Sequence, residues 1–179
     1  MLFKIQTGYS HKALTAMAKA LRKTTRTAKS RRTRIFGVLV IVFALFLTLP
    51  KSGEPFNVDM KMILTWTVVL IMILAFVFED TLNGYVAKKR LLPGMTEAET
   101  TFYEDHYCTL TNVGKSEFSY GNITDIAETE EYFVFLFGKN HAQVYEKKSI
   151  TGGTESAFGA FIEKATGKKI INLSARTKK

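Results

Sequence analysis

Two uncharged apolar runs constrain the fold of this chain more than any other feature of its sequence. The first, residues 35–49, reads IFGVLVIVFALFLTL, and the second, residues 62–78, reads MILTWTVVLIMILAFVF. Each is slightly shorter than the roughly 20 apolar residues that a helix needs to cross a bilayer. Core helices are apolar along one stripe, whereas both runs are apolar all round, and a chain of 179 residues is too small to cover them. The sequence therefore predicts a transmembrane hairpin, with helices at 35–49 and 62–78 and a loop at 50–61.

Positive charge flanks this hairpin and is balanced within its loop. Residues 1–34 hold ten Lys or Arg and no acidic residue, and residues 80–179 hold 13 of each sign. Lysine and arginine accumulate on the cytoplasmic side of membrane helices, so both termini are expected in the cytoplasm and the protein in the plasma membrane. The residues predicted to set this orientation and to contact anionic lipid are Lys29, Arg31, Arg32, Arg34, Lys88, Lys89 and Arg90.

The basic N-terminal segment, residues 1–34, reads as a short strand at 2–8 and then an amphipathic helix. Ser10 can cap this helix, and one stripe holds Leu14, Met17, Ala18, Leu21, Thr25 and Ala28. Two interpretations stay open: the helix lies on an anionic bilayer surface, or its stripe packs on the chain's own soluble domain. Topology and lipid phosphate already explain the basic residues, so nucleic acid is not expected as a partner.

After a linker at 79–95, residues 96–173 have the pattern of a small antiparallel sheet or barrel closed by a helix. Short runs of β-branched and aromatic residues alternate with turn residues, and 132–137 is apolar on both faces, as in a central strand. Thr154 can cap a final helix that places Phe158, Phe161, Ile162 and Ala165 on one face, and Gly167 can end it. The basic tail from Lys168, with 174–179 outside the domain, is expected to fray.

The sequence shows no constellation typical of catalysis, metal binding or cofactor binding. The histidines, His11, His106 and His141, lack metal-like spacing, and His106 reads as a solvated loop residue. The single cysteine, Cys108, is expected to be a small buried side chain. Neither apolar run contains an ionisable residue, so a channel or carrier is not expected, and the Thr65 and Thr67 hydroxyls should bond their own helix.

The order of segments and the residues of 99–162 resemble the YcxB-like family of small bacterial membrane proteins. The matching stretches are ETTFYEDHYCTLT, SEFSYGNITDIAETEEYFVFLF and HAQVYEKKSITGGTESAFGAFI. One departure is Glu146 before Lys147, where the family usually has proline. The resemblance implies an α+β membrane protein, with a domain related to the pleckstrin-homology-like fold at the inner face of the membrane.

Two functions remain open at this stage, and neither is enzymatic. The first is a membrane-anchored interaction domain, and the alternative is an immunity protein that protects its cell against a cognate toxin or bacteriocin. The predicted partners are the lipid bilayer and a protein of unspecified identity, and self-association is left open.

Overall fold

The computed structural model describes residues 1–49 and 58–174 as an α+β protein that divides into two compact units. One, called here the helical unit, is Thr27–Glu79; the other, the sheet unit, joins Met1–Arg26 to Asp80–Lys179. This boundary differs from the expected one, because the first 26 residues are part of the β-rich domain instead of a separate arm. Most of the predicted loop, residues 50–57, lies outside the described part of the chain.

Two four-stranded sheets make up the sheet unit. The first has the order β1-β2-β3-β4 and is antiparallel throughout; its strands are Phe3–Gly8, Glu97–Phe102, His106–Thr111 and Gly114–Ser119. The second has the order β7-β6-β5-β8; β5 to β8 are Asp125–Glu128, Tyr132–Phe137, His141–Glu146 and Ile170–Asn172. In this second sheet β8 runs parallel to β5, and the other pairs are antiparallel.

Five α-helices lie in the described part of the chain. In order, α1 to α5 are His11–Lys23, Thr27–Phe46, Met60–Val77, Glu79–Lys89 and Glu155–Thr166. The helix expected across residues 10–28 is therefore broken after Lys23, and a new helix starts at Thr27. The predicted linker also changes, because most of 79–95 forms α4.

An aromatic core fills the space between the sheets and α5. Phe158 of α5 is fully buried, and its ring centroid lies 5.0 Å from that of Phe102 and 5.3 Å from those of Phe3 and Phe133. Edge-to-face pairs at such distances add about 0.5–1.5 kcal/mol each beyond the area that they bury. The helix starts and ends as predicted: the Thr154 hydroxyl accepts from the Ala157 N–H, and Gly167 ends it at φ 67°.

The strand β6 is central and apolar on both faces, as predicted, because each face meets a different partner. Phe133 and Phe135 belong to the aromatic core, whereas Tyr132, Val134 and Leu136 form a second cluster on the opposite face of the sheet. That face is covered by α1, which contributes Ala13, Ala16, Ala20 and Leu21 to the cluster. Small alanine side chains let the helix backbone approach the sheet closely. Packing on the chain's own domain, one of the two interpretations left open, is therefore found for α1. The predicted stripe is right only in part, because Leu14 and Leu21 are buried whereas Ala28 is exposed on α2.

Residues 170–172, which follow α5, form the strand β8. The prediction that the chain frays from Lys168 onward is therefore wrong for these three residues. Glu163 of α5 accepts hydrogen bonds from the Ile170 N–H at 2.9 Å and from Lys169 Nζ at 3.0 Å. Both bonds lower the pKa of the Glu163 carboxyl, and the bond from the Ile170 N–H has the larger effect. The Leu173 N–H then donates to the Glu128 carbonyl at 2.7 Å, which continues the pairing of β8 with β5.

The N-terminal strand can be tested with two neighbouring residues on its opposite faces. Ile5 is fully buried in the aromatic core and Gln6 is exposed, so Ile5→Ala should destabilise the sheet unit by about 2–5 kcal/mol. Gln6→Ala, the matched control, should change stability by no more than about 0.5 kcal/mol. All seven tyrosines lie in the sheet unit, so near-ultraviolet circular dichroism of the full chain in detergent reports its unfolding. Equal effects of the two substitutions would show that β1 is not part of this core.

Candidate membrane anchor and its basic border

The helix α3 presents apolar side chains in every direction. It spans Met60–Val77 with a mean hydropathy of 2.3, and only 6% of it is buried. Among its exposed side chains are Leu64, Trp66 and Leu70. Within the described residues it is the one helix that is long and apolar enough to cross a membrane. Its 18 residues give a length of about 27 Å, close to the thickness of the hydrocarbon layer.

The helix α2 combines a basic beginning with an apolar remainder. Lys29, Arg31, Arg32 and Arg34 lie in its first turns, and from Ile35 to Phe46 it is uncharged with most side chains exposed. The structure moves the start of this helix eight residues before the predicted span and ends it at Phe46. Because four basic residues occupy its first turns, α2 lacks an uncharged apolar stretch as long as that of α3, and the structure supports one of the two predicted spans.

Within the helical unit, α2 and α3 pack in opposite directions. Gly37 is the buried residue of α2, and a Cβ atom there would lie 2.1 Å from Cζ of Phe76, near the end of α3. Close by, Arg34 Nη2 donates to Glu79 Oε2 at 2.9 Å. The glycine thus provides the space for the phenylalanine ring, and the ion pair marks the level at which both apolar segments meet polar residues.

Polar groups within α3 are satisfied by the helix itself. Asp59 caps it by accepting from the Met62 N–H at 2.8 Å. The Thr65 and Thr67 hydroxyls each donate to a backbone carbonyl four residues earlier, at 2.9 Å, as predicted. Both hydroxyls are therefore hydrogen-bonded within the helix. An unbonded donor in apolar surroundings would cost free energy.

All seven residues predicted to contact anionic lipid are exposed. Four of them are on α2, Lys88 and Lys89 are in the last turn of α4, and Arg90 follows it. Several basic residues nearer the N-terminus form contacts within the sheet unit instead. Lys12 pairs with Glu131 at 2.6 Å, and Arg26 donates to the Lys139 carbonyl at 2.7 Å.

A bidentate ion pair in the sheet unit joins the end of α1 to the beginning of α4. Arg22 donates from Nε and Nη2 to the two carboxylate oxygens of Asp80, each at 2.6 Å, and the side chains are 16% and 20% exposed. The same helices approach closely at Gly84, where a Cβ would lie 2.8 Å from the Thr15 backbone nitrogen. Sequence reasoning missed this contact; the one local signal was a glycine inside a helical segment.

The exposed side of α4 carries a short apolar strip that the sequence analysis also missed. Leu82, Tyr85 and Val86 are 43–51% exposed, and Lys89 Nζ lies 4.8 Å from the centroid of the Tyr85 ring. Their spacing of three and four residues places them on one helical face, and this spacing was readable in the sequence. An amphipathic aromatic side chain beside lysine is typical of the interface between lipid and water.

Two residues considered for chemistry come together on one strand. His106 is the first residue of β3, so its interpretation as a loop residue is wrong, whereas Cys108 is 9% exposed, as expected of a small buried side chain. These two side chains and Glu117 of β4 place one potential ligand atom each within 4.8 Å of one another. The sequence analysis missed this cluster, because no two histidines or cysteines have the spacing of metal ligands. The available signal was that His106 and Cys108 are two residues apart and so lie on one face of a strand.

One segment in the C-terminal half of the chain matches a known protein family. Residues 102–162 match the family model of the YcxB-like protein, which confirms the resemblance noted in the sequence over that segment. The matched segment begins at the last residue of β2 and ends in α5, so it lies wholly within the sheet unit. Neither the curated proteins nor the solved structures include a match to the chain.

The bidentate ion pair between α1 and α4 predicts that arginine cannot be replaced by lysine there. Arg22→Lys keeps the charge but loses the two-pronged geometry, so the sheet unit should lose about 1–2 kcal/mol of stability. Lys12→Ala, which removes an exposed ion pair on the same helix, is the control and should have little effect. Unfolding midpoints followed by tyrosine dichroism measure both, and a fully stable Arg22→Lys variant would contradict a structural role for the bidentate contact.

Proposed function

We propose that this chain, whose residues 102–162 carry a YcxB-like domain, is a non-enzymatic integral membrane protein that presents this domain at the inner face of the plasma membrane. The α2–α3 hairpin is its anchor. The sheet unit, which contains the domain, is the part that meets a partner.

The apolar surface of the helical unit is the observation that carries this proposal. Ten large apolar side chains of α3 are exposed, each between 43% and 79%. Full burial of such a side chain is worth roughly 1.5–3 kcal/mol, so immersing their exposed halves in lipid contributes on the order of 10 kcal/mol. That is comparable to the entire net stability of a typical domain. An exposed patch of this size is typical of a surface that contacts membrane or protein.

The second span and the orientation rest on charge and packing. Gly37 and Phe76 support a paired hairpin, and the ion pair of Arg34 with Glu79 supports a common polar boundary for both helices. A cytoplasmic position for both termini is supported by the exposed basic residues of α2 and by those at the end of α4. Long arginine side chains in the first turns of α2 can extend to the headgroups and so lengthen a short span.

An interaction role is supported by the construction of the sheet unit. Two sheets and α5 enclose a dense aromatic core, which gives a rigid frame for surface loops and strand edges. The two sheets and the closing helix support the pleckstrin-homology-like fold that the resemblance implies. The near-neutral charge of residues 80–179 favours a protein partner over a strong lipid-headgroup pocket in the domain itself. No contact among the described residues favours the immunity alternative, which stays a prediction from the sequence.

The anchor and its orientation can be tested with two valines on opposite sides of the proposed membrane. In a Cys108→Ser background, Val58→Cys before α3 should react with a membrane-impermeant maleimide in intact cells. Val113→Cys, at the turn between β3 and β4, should react only after lysis. Both valines are well exposed, at 62% and 48%, so access to each thiol depends on the side of the membrane.

The outcomes of this labelling separate anchor from orientation. Labelling of Val113→Cys but not Val58→Cys in intact cells would reverse the orientation and leave the anchor standing. Release of the chain from membranes by alkaline carbonate, without detergent, would refute the anchor itself. Labelling of both positions in intact cells would refute a two-span arrangement.

The basic residues at the start of α2 should decide which side the termini occupy. Replacing Lys29, Arg31, Arg32 and Arg34 by alanine removes the positive charge before the first span, so a fraction of the chains should insert in the opposite orientation. Replacing Lys12, Lys19 and Lys23 of α1 is the matched control, since these residues belong to the sheet unit. The readout is the ratio of Val113→Cys labelling before and after lysis, and an unchanged ratio in the α2 variant would contradict a topological role for its charges.

A further inference from the structure

The outer face of the first sheet carries three side chains of the types that bind zinc. His106 and Cys108 are two residues apart on β3, so both project from the face opposite to Tyr107, which is buried in the aromatic core. On the neighbouring strand, Glu117 is the direct cross-strand partner of Cys108. Directly opposite residues have Cβ atoms about 4.5–5.5 Å apart, which brings the carboxylate to the side of the thiol.

The separations of the ligand atoms suit a single small ion. One atom from each of the three side chains lies within 4.8 Å of the other two, and His106 Nε2 is 3.9 Å from Glu117 Oε1. Ligands at about 2.1 Å from a tetrahedral zinc ion are roughly 3.4 Å from one another. The separation of His106 from Glu117 is thus about 0.5 Å above this value, and no pair exceeds it by more than about 1.4 Å.

A second, independent feature orients the imidazole for such a role. Asp105 Oδ1 lies 2.7 Å from His106 Nδ1. The Tyr103 ring stacks on the imidazole, and the two ring centroids are 4.7 Å apart. Metal-binding histidines commonly donate their second ring N–H to a carboxylate, which fixes the tautomer and leaves the other nitrogen free to coordinate. In this chain that other nitrogen is Nε2, the one that faces Glu117.

We propose that His106 Nε2, Cys108 Sγ and a carboxylate oxygen of Glu117 bind a divalent ion of the zinc class, with a fourth position open to water. A thiolate, an imidazole and a carboxylate together favour zinc over magnesium or calcium, which prefer oxygen ligands alone. Binding converts the Cys108 thiol to a thiolate and releases one proton to solvent. Asp105 acts as a positioning residue that holds the His106 ring.

Cobalt titration of the full chain in detergent, with any histidine tag removed, tests this site directly. Co²⁺ bound to a thiolate gives a charge-transfer absorption in the near ultraviolet, and strong visible bands report four-coordinate geometry. We expect both signals to saturate at one ion per chain, to disappear in Cys108→Ser, and to be bleached by added Zn²⁺. Absence of saturable thiolate absorption in the unmodified chain would overturn the proposal.

Two further substitutions distinguish a three-residue site from a lone reactive thiol. Glu117 is 66% exposed on an outer strand, so Glu117→Gln leaves the sheet intact and should weaken cobalt binding at least tenfold. His106→Phe keeps a ring against Tyr103 and should also change the visible bands. If Cys108→Ser alone affects binding, the thiol binds metal by itself and the proposed site is refuted.

A substitution of Asp105 tests its positioning role, and substitutions of two other polar residues serve as controls. Asp105→Asn should weaken binding by about 10–100-fold while keeping the three-ligand spectrum, as expected for loss of a carboxylate that orients a ligand. Glu99→Gln on the neighbouring strand and His141→Gln on β7 should leave the titration unchanged. Equal weakening by these controls would indicate adventitious surface binding only and would overturn the assignment.

Discussion

The packing of α1 on the outer face of β6 is the contact on which the organisation of the sheet unit depends. β6 is buried along nearly its whole length, with Phe133 and Phe135 facing the aromatic core and Val134 and Leu136 facing away from it. A strand with two apolar faces needs a cover on each, and the first sheet together with α5 covers only the face that bears Phe133 and Phe135. The alanine-rich face of α1 supplies the other. The first residues of the chain are thereby held in the same unit as its last described strand.

This contact also divides the basic N-terminal segment between two roles. Several positive residues up to Arg26 make contacts within the sheet unit, as in the pairs of Lys12 with Glu131 and Arg22 with Asp80. Those from Lys29 onward lie on α2 and are exposed next to its apolar remainder. A single run of like charge thus serves folding in its first half, and in its second half it borders the helix that we propose to enter the membrane. The break between the helices, at residues 24–26, falls between these roles.

The alternation of side chains along β3 gives its two faces different chemistry. Tyr107 points inward, and its hydroxyl donates to Gln143 Oε1 at 3.0 Å; burial raises the pKa of this tyrosine, so the hydroxyl stays a neutral donor. His106 and Cys108 point outward beside Glu117. The aromatic core positions the strand, and the strand register then sets the spacing of the outward residues. A slip of one residue would bury the histidine and expose the tyrosine, so the proposed metal site is specified by the same packing that specifies the fold.

The sequence alone determined those features whose physical cause is local. The Ser10 and Thr154 caps, the Gly167 helix end, the central position of β6, the buried face of α5 and the all-round apolarity of α3 follow from residue type and periodicity within a few turns. Tertiary structure decided the rest: the pairing of β1 with β2, the docking of α1, the helical state of residues 79–89, the strand at 170–172, and the meeting of His106 with Glu117. Each of these depends on a partner distant in the chain, because a strand edge, an alanine face or a ligand atom has no local signature of what it will contact. Periodicity can show that a face is apolar, but only the folded chain shows which surface covers it.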